Sequence, residues 1–429
     1  MPRFQSNGKQ GERHVQKDAV HPDTSNYFVP DHIPTDLIHP FDVFADPEMS
    51  RCPFERTHRL REHGRVFWNP INPLFRGSWV LTQAQDLRYV MCHPELFSNN
   101  GEAGFMTLKG EALELIPLEL DPPRHTEFRR ILNPLVSLRV VQGMSDGVTK
   151  RAADLIEAVR AKGGCDFIAS FGIPFPVSIF MQWMGLPEER MEEFLAWETA
   201  LVHTGATATE NMTMEAAAIA VTNYLQELAD DRKVNPRDDV VTHVVQAKIN
   251  DVPLTNKEII GTLYLLFLAG LDTVTATMGW FFHYLAEHPA EQQLLRDNPE
   301  RIKQSVEELM RRYSIVVSHR RCRADVEVAG VQMKQGDWIS IFDTLGSTDP
   351  AAFKEPLSVD LSRRNISHFG FSTGPHLCMG IHLARRELEI ALREWLARIP
   401  MWRLKAGAEM KTHGGHTFGF DNLDLEWDT

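Results

Sequence analysis

The stretch "HFGFSTGPHLCMGIHLARRELEI" sets Phe371, Gly374, His376, Cys378 and Gly380 at fixed offsets ahead of an amphipathic run. A cysteine binds metal as thiolate, and a thiolate needs positive potential nearby. Amides at the start of the following helix would supply it. Gly374 and Gly380 would let backbone approach a flat partner where a β-carbon obstructs. Phe371 is placed to cover the sulfur, and His376 to hold an acidic substituent. Taken alone, Cys378 reads as well as a packed cysteine before an ordinary helix.

Other stretches carry candidate chemistry. "AGLDT", Ala269 to Thr273, sets Asp272 and Thr273 in the middle of an apolar run. A carboxylate there is costly unless satisfied. Asp272 alone also reads as a structural carboxylate bonded to a neighbouring loop, and Thr273 as a hydroxyl turned back to the carbonyl four residues earlier. Glu308 and Arg311 in "EELMRRY" are three apart, a spacing that usually gives a solvated pair. His125 and Arg129 in "DPPRHTEFRRIL" share a helix face, and Arg320 lies in "VVSHRRCR".

The full pattern F-x-x-G-x-H-x-C-x-G is far more specific than its cysteine. One thiolate, no second soft ligand nearby and room for a flat group point to haem, where a thiolate pushes electron density that favours O–O cleavage. With "FPVSIFM", "GLPEE", "GLDTV", "HLARRE" and "REWLARIP" in order, the chain from about residue 30 resembles the cytochrome P450 family. It is most similar to the soluble bacterial type that includes the camphor 5-hydroxylase. Ser372 stands where many members have glycine.

The resemblance implies a mainly α fold with small β-sheets, one large helical domain with a long central helix over the haem. It implies haem b with Cys378 as the axial iron ligand, and O2 as co-substrate. Gly270 would let the central helix pass close to haem. Thr273 would hydrogen-bond dioxygen, and Asp272 would relay protons towards it. His125, Arg129, Arg320 and His376 would hold the propionates through charge-assisted bonds. His319, Arg321 and Arg323 offer alternative registers for Arg320. Glu308 and Arg311 would be buried with Arg363 as structural support for the cysteine loop.

The loop "GEAGFMTLKGEALELIP" matches the segment that caps the camphor pocket, with Leu113 in place of a tyrosine. Phe105, Met106, Leu113, Leu265, Leu268, Val316, Val317, Thr417 and Phe418 are candidate pocket residues, and each reads equally as core. Together they suit a compact apolar substrate: a terpenoid, a norisoprenoid or a small aromatic. No flavin or iron–sulfur segment is evident, so electrons would come from NAD(P)H through a reductase and a ferredoxin, of [2Fe–2S] type. Arg124, Arg129, Arg130, Arg139, Arg363 and Arg364 would form its docking side. A haem-thiolate peroxygenase, a haem sensor and a cysteine-nucleophile hydrolase are the competing readings.

The elements that must position these residues are mostly helical. "VTKRAADLIEAVRAKGG" and "GIHLARRELEIALREWLARIP" are amphipathic, stopping at glycines and before Pro400. "NKEIIGTLYLLFLAGLDTVTATMGWFFHYLAEHP" predicts about 30 residues of near-continuous buried helix. "RVFWN", "GSWVLTQ", "LDLEW" and "VEVAGVQMKQGDWISIF", with a turn at Gly336, predict strands. The chain has 429 residues, 43% hydrophobic and 24% charged, with net charge −13. That balance excludes generic nucleic-acid binding. Five scattered cysteines without a CxxC suit a reducing, cytoplasmic setting. The polar start carries no apolar anchor, so residues 1–28 read as a mobile tail and 29–429 as one domain. "LYLLFLAGL" is too short to span a membrane.

Overall fold

The computed structural model describes residues 27–43, 46–49, 51–71, 76–101, 107–108, 111–202 and 212–429. The tail expected over residues 1–28 lies outside these up to residue 26. The fold is mainly helical. The helices that matter for the site are α1 (Arg124–Leu132), α2 (Leu138–Arg160), α3 (Pro174–Met184), α4 (Asn256–Leu271), α5 (Thr273–Glu287), α6 (Ile302–Arg312) and α7 (Ile381–Arg398).

A five-stranded sheet flanks them, built from β1 (Val66–Asn69), β2 (Ser78–Leu81), β3 (Phe97–Ser98), β4 (Val317–Cys322) and β5 (Trp338–Phe342), in the order β1-β2-β5-β4-β3. The expected strands "RVFWN" and "GSWVLTQ" are β1 and β2. The turn at Gly336, with φ of 94°, leads into β5. The hairpin before it turns at Ala329 and Gly330 instead, both with positive φ. "LDLEW" forms Asp424–Trp427, which pairs with Trp402–Leu404 and Gly164–Asp166.

Helical spacing explains the packing. Val141, Val148, Ala152, Ile156 and Val159 recur on one face of α2 and are buried against α7. Leu388, Leu392, Trp395 and Leu396 form the buried face of α7. Trp395 is fully buried, with the rings of Phe167 and Phe282 5.3 and 5.4 Å away.

The central helix is not continuous. Thr255 and Glu258 close a capping box at its start, and α4 then carries Leu263, Tyr264, Phe267 and Leu271 into the core. It breaks at Asp272, where φ is −109°, and α5 restarts at Thr273. Two hydroxyls occupy carbonyls beside the break: Thr273 Oγ1 donates to Ala269 O at 3.2 Å, and Thr277 Oγ1 to Thr273 O at 2.8 Å. Such back-bonding bends helices. By length and composition Asn256–Glu287 could cross a membrane, but 67% of its most apolar window is buried inside the protein.

Two adjacent glutamates of α6 tie down the chain around the cysteine loop: Glu308 with Arg311 holds the stretch from Ser347 to Arg363, and Glu307 holds His368 and Arg385. Glu308 and Arg311 have no exposure and pair through two bonds of 2.8 Å. Arg311 spends its other donors on the carbonyls of Ser347, Pro356 and Ser358. Arg363 Nε joins Glu308 at 3.1 Å. Glu307 accepts two bonds of 2.7 Å from Arg385 and lies 3.3 Å from His368 Nε2. Burial opposes its ionisation, but His368 and Arg385 prevail and hold the carboxyl down at about 2. Arg385 lies over the Phe371 ring at 4.9 Å. At Ser372 φ is 63°, which explains the preference for glycine there. Gly374, expected to face a flat ligand, instead meets the helix Ala84–Cys92: a Cβ on it would lie 2.6 Å from Met91 O.

Two stability outcomes follow. Glu308→Ala strands two arginines in the interior, so it should cost about 3–5 kcal/mol in chemical denaturation. Glu307 has a folded-state value below the usual 4.5. Its stabilisation is therefore present above that value and lost as pH falls towards 2. Glu307→Gln should lower Tm at pH 7, and the gap to the parent protein should close as the pH is taken down through this window. A gap independent of pH would show that the charge does not support the loop.

Candidate active site

Cys378 sits at the start of α7, with its backbone N–H donating to Phe371 O at 2.8 Å. Burial pushes its thiol up; the backbone N–H groups of Gly380 and Ile381 and the charges of Arg129 and Arg385 pull the other way. Without a metal the sulfur therefore keeps its proton. A Cβ on Gly380 would meet nothing closer than the Cys378 sulfur at 3.9 Å. The backbone at Gly380 thus leaves open space beside the sulfur.

A cavity of about 260 Å³ opens on this loop. Cys378, Met379 and Gly380 line one side, and Ala269, Gly270 and Thr273 belong to the wall made by α4 and α5. His125, Arg129 and His376 line it as well. Leu265, Phe180 and Trp183 add apolar surface. One acid, Glu387 on α7, also borders it, and burial alone pushes its carboxyl well above the usual range.

The basic cluster fits an anionic group. The His125 and His376 rings lie 4.1 Å apart. Both nitrogens of His125 and Nε2 of His376 are buried with no hydrogen-bond partner among the described residues. Burial, aided by neighbouring cations, lowers His125 to about 4 and His376 to about 2. Arg129 reaches the cluster while its N–H groups hold Leu377 O and Asn133 Oδ1, each at 2.8 Å. Arg320 is buried and its charge acts on His376. Of the alternatives to Arg320, Arg321 lies over Trp338, Arg323 donates to Pro94 O, and His319 is buried beside His416. Unpartnered ring nitrogens, two arginines, a lone thiol and the space at Gly380 are the donor set that haem with two carboxylates requires.

The other expected residues divide between the cavity wall and the core. Gly270 borders the cavity, but the ring of Phe180 packs on it: a Cβ there would lie 2.1 Å from that ring. Asp272 is buried and accepts from Thr417 Oγ1 at 2.8 Å, outside the cavity lining. Thr417 is thus committed to a carboxylate. Phe418 is fully buried core against Phe54, and Val316 and Val317 pack in the same cluster. Leu113 and Leu268 pack on the other cluster, and of the pocket candidates only Leu265 lines the cavity among the described residues. Phe105 and Met106 lie outside the described residues. Of the docking arginines, Arg124 pairs with Glu127 and Glu258, and Arg363 with Glu308. Sequence reasoning missed Phe180, Trp183 and Glu387. The aromatic pair Phe180 and Trp183, three apart in "IFMQW", was visible but reads as ordinary core.

Comparison with known proteins agrees with this geometry. A family model described as cytochrome P450 matches residues 206–401. The probable cytochrome P450 127A1 of Sinorhizobium fredii is 41% identical over 93% of this chain and 97% of its own length. Linalool 8-monooxygenase of Pseudomonas putida is 27% identical over 85% of this chain and 90% of its own. The crystal structure of CYP101J2 superposes with TM-score 0.81 at 30% identity, covering 94% of this chain and 100% of that one. That of CYP101C1 gives 0.82 with the same identity and coverage. The fold is shared over 94% of the chain, and the chain belongs to the cytochrome P450 family of monooxygenases.

Proposed function

We propose that the protein hydroxylates a compact apolar molecule of terpenoid, norisoprenoid or small aromatic type. One oxygen atom of O2 enters the substrate and the other leaves as water, with two electrons from NAD(P)H through a reductase and a ferredoxin. The carrying observation is the single cavity that joins Cys378 to Thr273 under a cluster of unpartnered histidines. Haem on a cysteine thiolate supplies the O–O cleavage. Cys378 would be its ligand, with His125, Arg129, Arg320 and His376 on its carboxylates.

The remaining work falls to the chain. Leu265, Phe180 and Trp183 exclude water and hold an apolar ligand. Thr273, at the cavity wall, orients a proton at the reacting oxygen, and Asp272 beside it resupplies that proton. This acid–alcohol pair argues against a sensor and against a peroxygenase, neither of which needs proton resupply. Burial at Glu387 disfavours a charge on this side of the cavity. Linalool 8-monooxygenase, among the relatives, acts by its name on linalool.

A groove of about 750 Å³ over the first turns of α7 is lined by Leu138, by Lys303, Arg364, Arg385 and Arg386, and by the acids Glu300, Glu307 and Glu389, with Arg385 paired to Glu307 and Arg386 to Glu389. Leu377, next to the axial cysteine, is 40% exposed. An acidic ferredoxin would meet Lys303 and Arg364 on this face of mixed charge. Residues 29–429 form the catalytic domain in this reading, and the protein works in the cytoplasm.

Thr273→Ala should keep consuming NADH while product falls and hydrogen peroxide rises. Asp272→Asn should slow the whole turnover by ~10² if it serves as general acid. Retained coupling in the first and retained rate in the second would reduce "AGLDT" to buried helix. With no tyrosine at Leu113, a ketone loses roughly 0.5–1.5 kcal/mol of bonding on that side. Linalool and β-ionone should therefore shift the iron to high spin at least as fully as camphor in a titration. Tight, fully high-spin camphor binding would contradict this pocket.

A further inference from the structure

We infer that Thr417 is a positioning residue that fixes the carboxylate of Asp272, an inference that rests on the proton-resupply reading above. Thr417 Oγ1 donates to Asp272 Oδ2 at 2.8 Å across 145 positions of chain. The two residues are 7% and 8% exposed.

An aspartate directly before a helix ordinarily caps it by accepting from the first-turn amides. Asp272 stands before α5 and makes no such side-chain bond. Its carboxylate is turned to the C-terminal loop instead. The helix start is thus not what this carboxylate serves.

The donor arrives on a rigid frame. Val317 N donates to His416 O at 2.9 Å, and Phe418 N to Ile315 O at 3.2 Å. Trp280 Nε1, from α5 itself, donates to Phe418 O at 2.8 Å. Residues on both sides of Thr417 are therefore tied to β4, to the segment before it and to α5. The acceptor, by contrast, sits at a helix break. A fixed donor beside a break selects one orientation for the carboxylate. Thr273, the next residue, opens on the cavity. Fixing the carboxylate of Asp272 therefore fixes its relation to the alcohol that it resupplies. A positioned group is worth far more to proton transfer than a wandering one.

The test reads the electrostatics of the cavity without turnover, substrate or redox partner. The holoenzyme is reduced under carbon monoxide and the C–O stretch is recorded. Asp272→Asn should shift the band. Thr417→Val, which keeps shape and removes the donor, should shift or split it as the released carboxylate samples other orientations. Thr417→Ser should keep the parent band. In the Asp272→Asn background, Thr417→Val should add nothing. Thr417→Ala replaces Thr417→Val if the latter fails to hold haem.

An unchanged band in Thr417→Val, with a shifted one in Asp272→Asn, overturns the positioning role and leaves the proton reading intact. A Thr417→Val shift that persists in the Asp272→Asn background also overturns it, since Thr417 then acts on the cavity directly. An unchanged band in Asp272→Asn shows that the carboxylate is not felt in the cavity, and both readings fall.

Discussion

The site depends on whether the thiol of Cys378, half-buried at the cavity wall, gives up its proton. At Cys378 burial pushes the proton on more strongly than the backbone amides of Gly380 and Ile381 and the charges of Arg129 and Arg385 push it off. A metal cation bound at the sulfur would tip the balance. A loop in this position must be held still, because backbone amides act on a thiolate over short distances. That requirement accounts for the buried ionic groups behind it. Glu308 carries Arg311 and Arg363, and Glu307 carries Arg385 and His368. Arg385 takes part in both tasks: it is anchored by Glu307, covers Phe371 and acts on the sulfur.

The opposite wall answers a different constraint. A helix through the core must present polar groups without leaving them unsatisfied. The break at Asp272 solves this locally. Thr273 and Thr277 hydroxyls occupy nearby carbonyls, Thr275 reaches Gly172 O at 2.9 Å, and Thr417 meets the carboxylate. Polar chemistry therefore stands in an apolar helix at the one place where the helix is interrupted.

Motifs whose spacing is set by chemistry were legible in the chain. The cysteine loop stood out by its local offsets, and helical periodicity revealed α7 and α2 from Val148 on, whereas the roles given to "AGLDT" and to the propionate donors came from the family resemblance. What was not legible depends on side chains meeting across long separations. Thr417 read as pocket wall because nothing local tells that its partner is Asp272. Gly374 read as a ligand-facing glycine, yet Met91 O decides its identity. The break at Asp272 was hidden because apolar periodicity continues through it. Glu307 was overshadowed by Glu308, since one of two neighbouring glutamates sufficed for the motif.

The central claim is that Cys378 meets haem iron as thiolate. The direct measurement is the absorption spectrum of the purified, reduced protein under carbon monoxide, recorded beside Cys378→Ser. The expected result is a strongly red-shifted Soret band in the parent, the signature of a thiolate opposite the ligand, and its loss in Cys378→Ser. A parent band at the position given by neutral nitrogen ligands, or the same red-shifted band in Cys378→Ser, would contradict the account.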